Sequence, residues 1–167
     1  QIDGKIYQDV LSALDLPIPD LRQTDYPLTT ESMSRFFRLL YNASFLSPEM
    51  SDKALSLLTK SKYDQGITRF LKNDVEVAHK FGEKNIDGSF QLHEGGIFFT
   101  GSSDYVLIVM TRGKDQKVLS DVLSNVGKIV FDELVINYGI MVTHPAAVTS
   151  NDSKVGGVTI VTKKTVS

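Results

Sequence analysis

The run Val75-Glu-Val-Ala-His-Lys-Phe-Gly82 is followed by two more apolar runs, Gln91-Leu-His-Glu-Gly-Gly-Ile-Phe-Phe-Thr100 and Tyr105-Val-Leu-Ile-Val-Met-Thr111. β-Branched and aromatic residues dominate these runs, and small turn-forming residues separate them. The pattern predicts three consecutive antiparallel strands near 75–82, 92–100 and 104–111. The last run is apolar on both faces, which is typical of a central strand.

Helical patterns lie on both sides of these strands. Thr29-Thr30-Glu31 and Ser47-Pro48-Glu49 are helix starts, each with a capping hydroxyl and an acid in the first turn. Their apolar positions, spaced three or four residues apart, predict inward faces: Met33, Phe36, Phe37, Leu40 and Tyr41 in the first helix, and Met50, Ala54, Leu57 and Leu58 in the second.

Two further helices are predicted around the strands. A short one covers Gln65–Leu71, with Ile67, Phe70 and Leu71 inward. A long one covers 115–136 and has a wide apolar stripe that must lie across a sheet face. The stripe consists of Val118, Leu119, Val122, Leu123, Val126, Ile129, Val130 and Leu134.

The fold class that follows is α+β, an antiparallel sheet packed with helices. Residues 28–136 form the main region, with helices in 29–72, strands in 75–111 and the last helix at 115–136. Residues 1–27 hold one short helix (Ile6, Val10, Leu11, Leu14) and three prolines, and we expect them to be an extended connection from a missing N-terminal part. Residues 137–167 are expected to be a tail with one more strand at 156–162. Because the chain begins at Gln1 rather than Met, we expect a processed product or a fragment.

Composition excludes several classes of function. The 167 residues are 41% hydrophobic and 23% charged with a net charge of −2, so neither nucleic acid nor an anionic membrane surface is expected as a partner. There is no cysteine and no apolar run of membrane-spanning length. His79, His93 and His144 lack zinc-ligand spacing, so we expect no metal and no cofactor.

Lys80 and Gly82 are the first candidates for a binding site. A lysine at a strand end offers an ammonium group, and a nearby glycine lets an anionic ligand approach the backbone. The alternative is a solvated lysine before a turn glycine.

The order of these elements and motifs resembles the C-terminal part of the penicillin-recognising serine hydrolases, the class A β-lactamase and D-alanyl-D-alanine peptidase family. The resemblance runs from about Leu28 to Leu134, and Lys80-Phe81-Gly82 stands where the family has Lys-Thr-Gly. The segments that carry it are Leu28-Thr-Thr, Phe45-Leu-Ser-Pro-Glu, Val77-Ala-His-Lys-Phe-Gly-Glu83, Gln91-Leu-His-Glu-Gly-Gly-Ile97 and Val109-Met-Thr-Arg-Gly113.

The resemblance implies roles for four residues. Lys80 would attract the substrate carboxylate, Gly82 would let the substrate lie against the strand, and the backbone N–H of Glu83 would be one oxyanion-hole donor. His93 would supply a donor where other members use an arginine. The alternative for His93 is a half-buried strand histidine bonded to the backbone.

The chain departs from the family pattern at its catalytic motifs. No serine of the 167 residues begins a Ser-x-x-Lys, Ser51-Asp52 is followed by Lys53 rather than Asn, and Phe81 replaces the motif threonine. Glu133-x-x-x-Asn137 matches the family's deacylation motif but follows the Lys-x-Gly strand, so we interpret it as coincidence.

Two functions therefore remain open. The first is one part of a β-lactamase-like serine hydrolase that transfers acyl groups from a β-lactam or a D-Ala-D-Ala peptide, with the nucleophile supplied by an N-terminal half. The second is a non-catalytic binding or scaffold module that retains the fold. The partners implied are that N-terminal half and a small-molecule or peptidoglycan-peptide substrate, and the family implies an extracytoplasmic location.

The 105–111 strand needs a neighbour on its outer side. In the family, two strands of the five-stranded sheet come from the N-terminal portion. Unpaired backbone groups of a central strand must be satisfied. The first choice of neighbour is the missing half, and the second is the C-terminal run Gly157–Thr162.

Overall fold

The computed structural model describes residues 4–16, 18, 28–71, 75–100, 104–133 and, by their backbone, 158–162. The helices are α1 (Gly4–Ala13), α2 (Thr30–Tyr41), α3 (Pro48–Leu58) and α4 (Gln116–Phe131). The strands are β1 (Glu76–Ile86), β2 (Ser89–Phe99), β3 (Tyr105–Gly113) and β4 (Val158–Thr162).

The helix starts follow the capping pattern of the sequence. The side chain of Thr29 accepts the N–H of Ser32 at 3.0 Å, and that of Ser47 accepts the N–H of Met50 at 3.3 Å. Asp115 caps α4 by accepting two backbone N–H groups. These oxygens satisfy donors that have no partner within the helix, which confirms the predicted starts of α2 and α3.

The four strands form one antiparallel sheet in the order β1-β2-β3-β4. Helices α2 and α3 cover one face and α4 covers the other, so that each face has its own apolar core. β3 lies inside the sheet, and its residues 105–109 are all buried, as its two apolar faces predict. Its outer neighbour is β4, with Tyr105 opposite Thr162, which is the second of the two neighbours considered from the sequence.

β1 and β2 are longer than the sequence pattern indicated. They continue through a two-residue turn at Asp87 and Gly88, both with positive φ (50° and 78°). An Asp-Gly pair favours this hairpin turn because both residues tolerate a left-handed backbone. The strands thus extend four residues beyond the predicted end at 82 and begin three residues before the predicted start at 92, and β3 pairs with β2 as far as Phe90.

The predicted helix at Gln65–Leu71 is wrong, and the chain forms tight turns there. Its backbone groups are engaged by other parts of the molecule. The N–H of Ile67 donates to Glu94 Oε2 at 2.8 Å, and the carbonyl oxygen of Gln65 accepts the hydroxyls of Ser120 and Ser124. In a helix starting at Gln65, the N–H of Arg69 would donate to the Gln65 carbonyl oxygen, but it donates to the Gly66 carbonyl oxygen instead.

The predicted apolar stripes are buried only in part. On α4, Leu119, Leu123 and Val130 face the sheet, whereas Val118 and Ile129 are 55% and 61% exposed. Other residues that were expected inward and are exposed are Val122 on α4, Phe36 on α2, Met50 and Leu57 on α3, and Phe70 in the turn. A stripe wider than the surface it covers leaves its flanks in solvent.

The short helix predicted near the start of the chain is α1. Its residue Leu11 is buried, and so is Leu14 just after its end. Of the expected extended connection at 1–27, residues 1–3, 17 and 19–27 lie outside the described residues, and so do residues 137–157 and 163–167 of the expected tail at 137–167. The predicted end of the long helix, 134–136, also lies outside them.

Candidate substrate-binding site

Lys80, Gly82 and His93 lie together on the face of the sheet that α2 and α3 cover. Gly82 of β1 is directly opposite His93 of β2, which is opposite Met110 of β3. Residues two apart in a strand share a face, so Lys80 is one step along β1 from this row. The strand alternation and the register together bring three of the four predicted residues to one surface.

This surface is open at Gly82. A Cβ built on Gly82 meets no atom within 4 Å, whereas a Cβ on Gly95 would meet Ile108 Cδ1 at 2.5 Å and Phe37 Cε2 at 2.8 Å. The α2 side chains that cover Gly95 therefore leave the position of Gly82 open. In addition, β1 lies at the edge of the sheet, so a ligand can approach this row from two sides.

The Lys80 side chain is exposed and curls around the outer edge of β1. Its Nζ donates to the carbonyl oxygen of Phe81 at 2.5 Å and lies 5.0 Å from the centroid of the Phe81 ring. The ring of Phe81 points to the other face of the sheet, where it stacks on Tyr63 at 4.1 Å. No carboxylate within the described part of the chain forms an ion pair with Lys80, so its ammonium remains available to an anion.

His93 is half-buried and bonded to the backbone, which agrees with the alternative interpretation drawn from the sequence. Its Nδ1 accepts the N–H of Thr111 at 3.2 Å, which places the proton of the neutral ring on Nε2. Burial lowers the pKa of His93, and the positive charge of Arg112 lowers it further, although a backbone hydrogen bond to Leu92 opposes them. Neutral His93 is thus a donor through Nε2–H.

Arg112 is a cation that the sequence analysis missed. It lies on β3 opposite Gln91, on the same face as Gly82 and one row further along, and it is exposed. With its amide oriented to satisfy both groups, Gln91 accepts from Arg112 Nε at 3.3 Å. Strand alternation alone puts Arg112 on the face of Met110, but only the register of β2 against β3 brings it beside His93.

The Glu83 side chain lies on the opposite face, toward α4. Its carboxylate accepts a hydrogen bond from Gln116 Nε2 at 2.6 Å. Glu83 therefore can contribute to the Gly82 surface only through its backbone, which is the role that the resemblance implies for it.

The described ranges contain no group of three or more His, Cys, Asp or Glu side chains that could hold a metal ion. In the same residues, every helix is too short or too polar to cross a bilayer.

Comparison with known proteins identifies the family. The sequence pattern of the β-lactamase enzyme family matches residues 7–134. The chain belongs to the β-lactamase enzyme family. The resemblance seen in the sequence is thereby confirmed.

Two solved structures are similar to this β-lactamase-family chain. PBP-A is 17% identical with a TM-score of 0.59, over 75% of this chain and 49% of that one. A β-lactamase from Sphaerobacter thermophilus DSM 20745 is 13% identical with a TM-score of 0.65, over 81% and 55%. These likenesses show the fold, α+β with helices packed on an antiparallel sheet, as the sequence predicted. The chain spans about half the length of these solved proteins, and no curated protein sequence matches it.

Proposed function

We propose that this β-lactamase-family chain forms the carboxylate-binding wall of an acyl-transfer site that acts on a β-lactam or a D-Ala-D-Ala peptide. The observation that carries the proposal is the uncovered surface at Gly82, which Lys80, His93 and Arg112 border. These three side chains are donors, and no described carboxylate lies on these rows, which suits an anionic ligand.

Each residue has a distinct part in binding. A substrate backbone lies along the open edge of β1, where Gly82 has no side chain to obstruct it. The substrate carboxylate is attracted by the ammonium of Lys80 and by Arg112, and Nε2–H of His93 donates to it without adding charge. The backbone N–H of Glu83 is one donor to the oxyanion of the tetrahedral intermediate.

The attacking group comes from another part of the protein in this proposal. The sequence holds no Ser-x-x-Lys, and the chain covers about half of its solved relatives. We therefore assign the acylating serine and its lysine to an N-terminal half of the same protein. A peptidoglycan-peptide substrate implies an extracytoplasmic location.

Binding of a carboxylate ligand by this chain tests the proposal. Acetyl-D-Ala-D-Ala is titrated into the ¹⁵N-labelled chain, with the C-terminal amide of the same peptide as the matched control ligand. We expect saturable shifts at Gly82, Glu83, His93 and Arg112 with the acid, and about tenfold weaker binding of the amide, since a charge-assisted hydrogen bond is lost. Equal binding of acid and amide, or no shifts in these rows, would contradict the proposal.

A matched pair of lysine variants tests whether the Lys80 ammonium binds the carboxylate of the ligand. Lys80→Met removes the ammonium beside Gly82, and Lys53→Met removes an exposed ammonium from α3. We expect Lys80→Met to weaken binding of the acid about tenfold and Lys53→Met to leave it unchanged.

A non-catalytic binding module is the second candidate function, and the position of Phe81 favours it. The motif threonine would supply a hydroxyl for the substrate carboxylate, whereas the Phe81 ring is turned away against Tyr63. The N-terminal half separates the two candidates. Covalent labelling of one of its serines by a penicillin, in complex with this chain, supports the enzyme, and binding without labelling supports the module.

A further inference from the structure

A buried histidine–glutamate pair lies on the other face of the sheet from Lys80. His79 is 5% exposed and Glu94 is fully buried, and His79 Nδ1 lies 2.6 Å from Glu94 Oε1. The second carboxylate oxygen of Glu94 accepts the N–H of Ile67 at 2.8 Å. With Glu94 as a carboxylate, Nδ1 of His79 carries the proton of the neutral ring, and Nε2 has a lone pair to offer.

The Nε2 atom is the unused group of this pair. Among the residues that the structure describes, none donates to it or accepts from it. In the described residues, the buried side-chain polar atoms without a partner are Ser51 Oγ and Tyr105 Oη, so Nε2, which also lacks a protein partner, has some access to solvent. Water or a ligand must therefore supply the hydrogen-bond partner of Nε2.

A groove lies against this histidine. Its volume is about 250 Å³, and it runs between the end of α3, the 66–71 turns and the start of β1. Thr59, Thr68 and Glu76 give it polar walls, and its apolar wall consists of Leu71, Val75 and Val77. The volume is just below the roughly 300 Å³ at which pockets for drug-sized ligands begin.

We propose that this groove is a second ligand site, separate from the Gly82 surface, for a small amphipathic molecule with an alcohol or amine group. The hydroxyl or amine donates to His79 Nε2, and the carbon part lies against Leu71, Val75 and Val77. A carboxylate ligand is excluded, because an anion has no proton to give Nε2 and would face the Glu76 carboxylate at the groove wall. Because His79 and Lys80 are consecutive in β1, the two sites lie back to back across the strand.

The test uses three probes of one carbon skeleton: isobutanol, isobutylamine and isovalerate. Long-range ¹H–¹⁵N spectra follow the ring nitrogens of His79, and amide spectra follow Thr68 and Val77, in the full chain. We expect a saturable shift of Nε2 with the alcohol or the amine, with a millimolar Kd, and none with isovalerate. Comparison of the Kd values of isobutanol and isobutylamine shows whether the site prefers an alcohol or an amine.

Two variants locate the binding in the groove. Thr68→Leu fills it from the turn side and should abolish the Nε2 shift, whereas Thr68→Ser retains the hydroxyl and should preserve it. Thr59→Leu, on the α3 side, provides a second filling variant if Thr68→Leu loses its wild-type amide spectrum. The proposal is overturned if neither alcohol nor amine shifts Nε2, if isovalerate shifts it equally, or if a folded filling variant binds as the wild type does.

Discussion

Two glycines of adjacent strands have opposite surroundings in this sheet. Gly95 lies directly under α2, with Ile108 and Phe37 filling the space that a side chain would need. Gly82 is one row further along the same face and borders open space. One glycine thus serves packing, and the other leaves a surface uncovered.

A matched pair of alanine variants separates these roles. Gly95→Ala should lower the free energy of unfolding by about 1–3 kcal/mol, because a methyl group overfills a packed core. Gly82→Ala should change it by less than about 0.5 kcal/mol, as a surface substitution does, while weakening acetyl-D-Ala-D-Ala binding. Urea denaturation and the peptide titration measure the two effects. A loss of stability for Gly82→Ala as large as for Gly95→Ala would show that the Gly82 surface is not open.

His93 makes stability depend on pH near neutrality. Its pKa in the folded chain is below the ordinary 6.5, chiefly through burial, so the unfolded chain binds a proton more readily. The stabilisation is complete above the unfolded pKa and is lost as pH falls through the folded pKa. We expect the free energy of unfolding to fall between pH 7.5 and pH 5, and to fall less in His93→Gln.

Asp121 provides the internal comparison for this titration. Hydrogen bonds from Lys117 and Arg69 lower the pKa of its carboxyl from an ordinary value of 3.8. Its contribution is therefore lost only in more acidic solution. An identical decline for the wild type and His93→Gln between pH 7.5 and pH 5 would rule out His93 as the source.

At the scale of elements, the 65–71 segment shows how tertiary contacts override local preference. Its apolar spacing favours a helix, yet the N–H of Ile67 donates to the Glu94 carboxylate of β2. The carbonyl oxygen of Gln65 accepts hydrogen bonds from two serine hydroxyls of α4. Gly127 of α4 permits this approach, since a Cβ there would lie 2.2 Å from the carbonyl oxygen of Ile67. The turn is thus held between the sheet and α4 by two different sets of hydrogen bonds.

Gly66→Ala should disrupt this turn. A Cβ at position 66 would lie 1.7 Å from Glu94 Oε2, so the carboxylate must move and the buried N–H of Ile67 loses its acceptor. We expect the free energy of unfolding to fall by at least about 2 kcal/mol, the cost of unsatisfied buried polar groups together with strain. Thermal and urea denaturation check this, with Gly82→Ala as the control. A stability equal to that of Gly82→Ala would show that Glu94 does not constrain the turn.

At the scale of the whole molecule, β4 decides how the sheet ends. It pairs with β3 from Tyr105↔Thr162 to Val109↔Val158, so a run distant in sequence satisfies the outer edge of the central strand. β1 remains an edge, and the proposed substrate surface lies along it.

Hydrogen exchange tests the pairing of β3 with β4. In the full chain we expect slow exchange for amides 105–109 on both sides of the strand, because both edges are hydrogen-bonded. A chain that ends at residue 157 should lose protection at the outward amides alone, with the amides of the β1–β2 pair as the control. Rapid exchange of the outward amides in the folded, monomeric full chain would contradict the pairing.

The chain alone should not acquire a covalent penicilloyl group. Binding and oxyanion donors accelerate acylation only when an activated nucleophile is present, and the sequence has no Ser-x-x-Lys. Incubation with benzylpenicillin followed by intact-mass measurement checks this. A stoichiometric adduct on any serine of the 167 residues would show that the chain carries its own nucleophile.

The amino-acid sequence by itself determined the strands, the capped helix starts, the fold class and the family. The strands, helix starts and fold class depend on alternation, periodicity and capping, which act over a few residues and leave a pattern that can be read locally. The family came instead from the resemblance of the motifs around Lys80-Phe81-Gly82. The sequence could propose Lys80, Gly82 and His93 as candidate binding residues, because one strand motif holds the first two and the next strand holds the third.

Only the tertiary structure decided which groups meet. It replaced the 65–71 helix with turns, brought Arg112 beside His93 through the strand register, and buried His79 against Glu94. It also left the flanks of the helix stripes in solvent and paired β3 with β4. The physical reason is that a backbone group or a charge pairs with whatever group the folded chain brings within hydrogen-bonding distance. That group often belongs to a segment distant in sequence, so the local pattern does not reveal it.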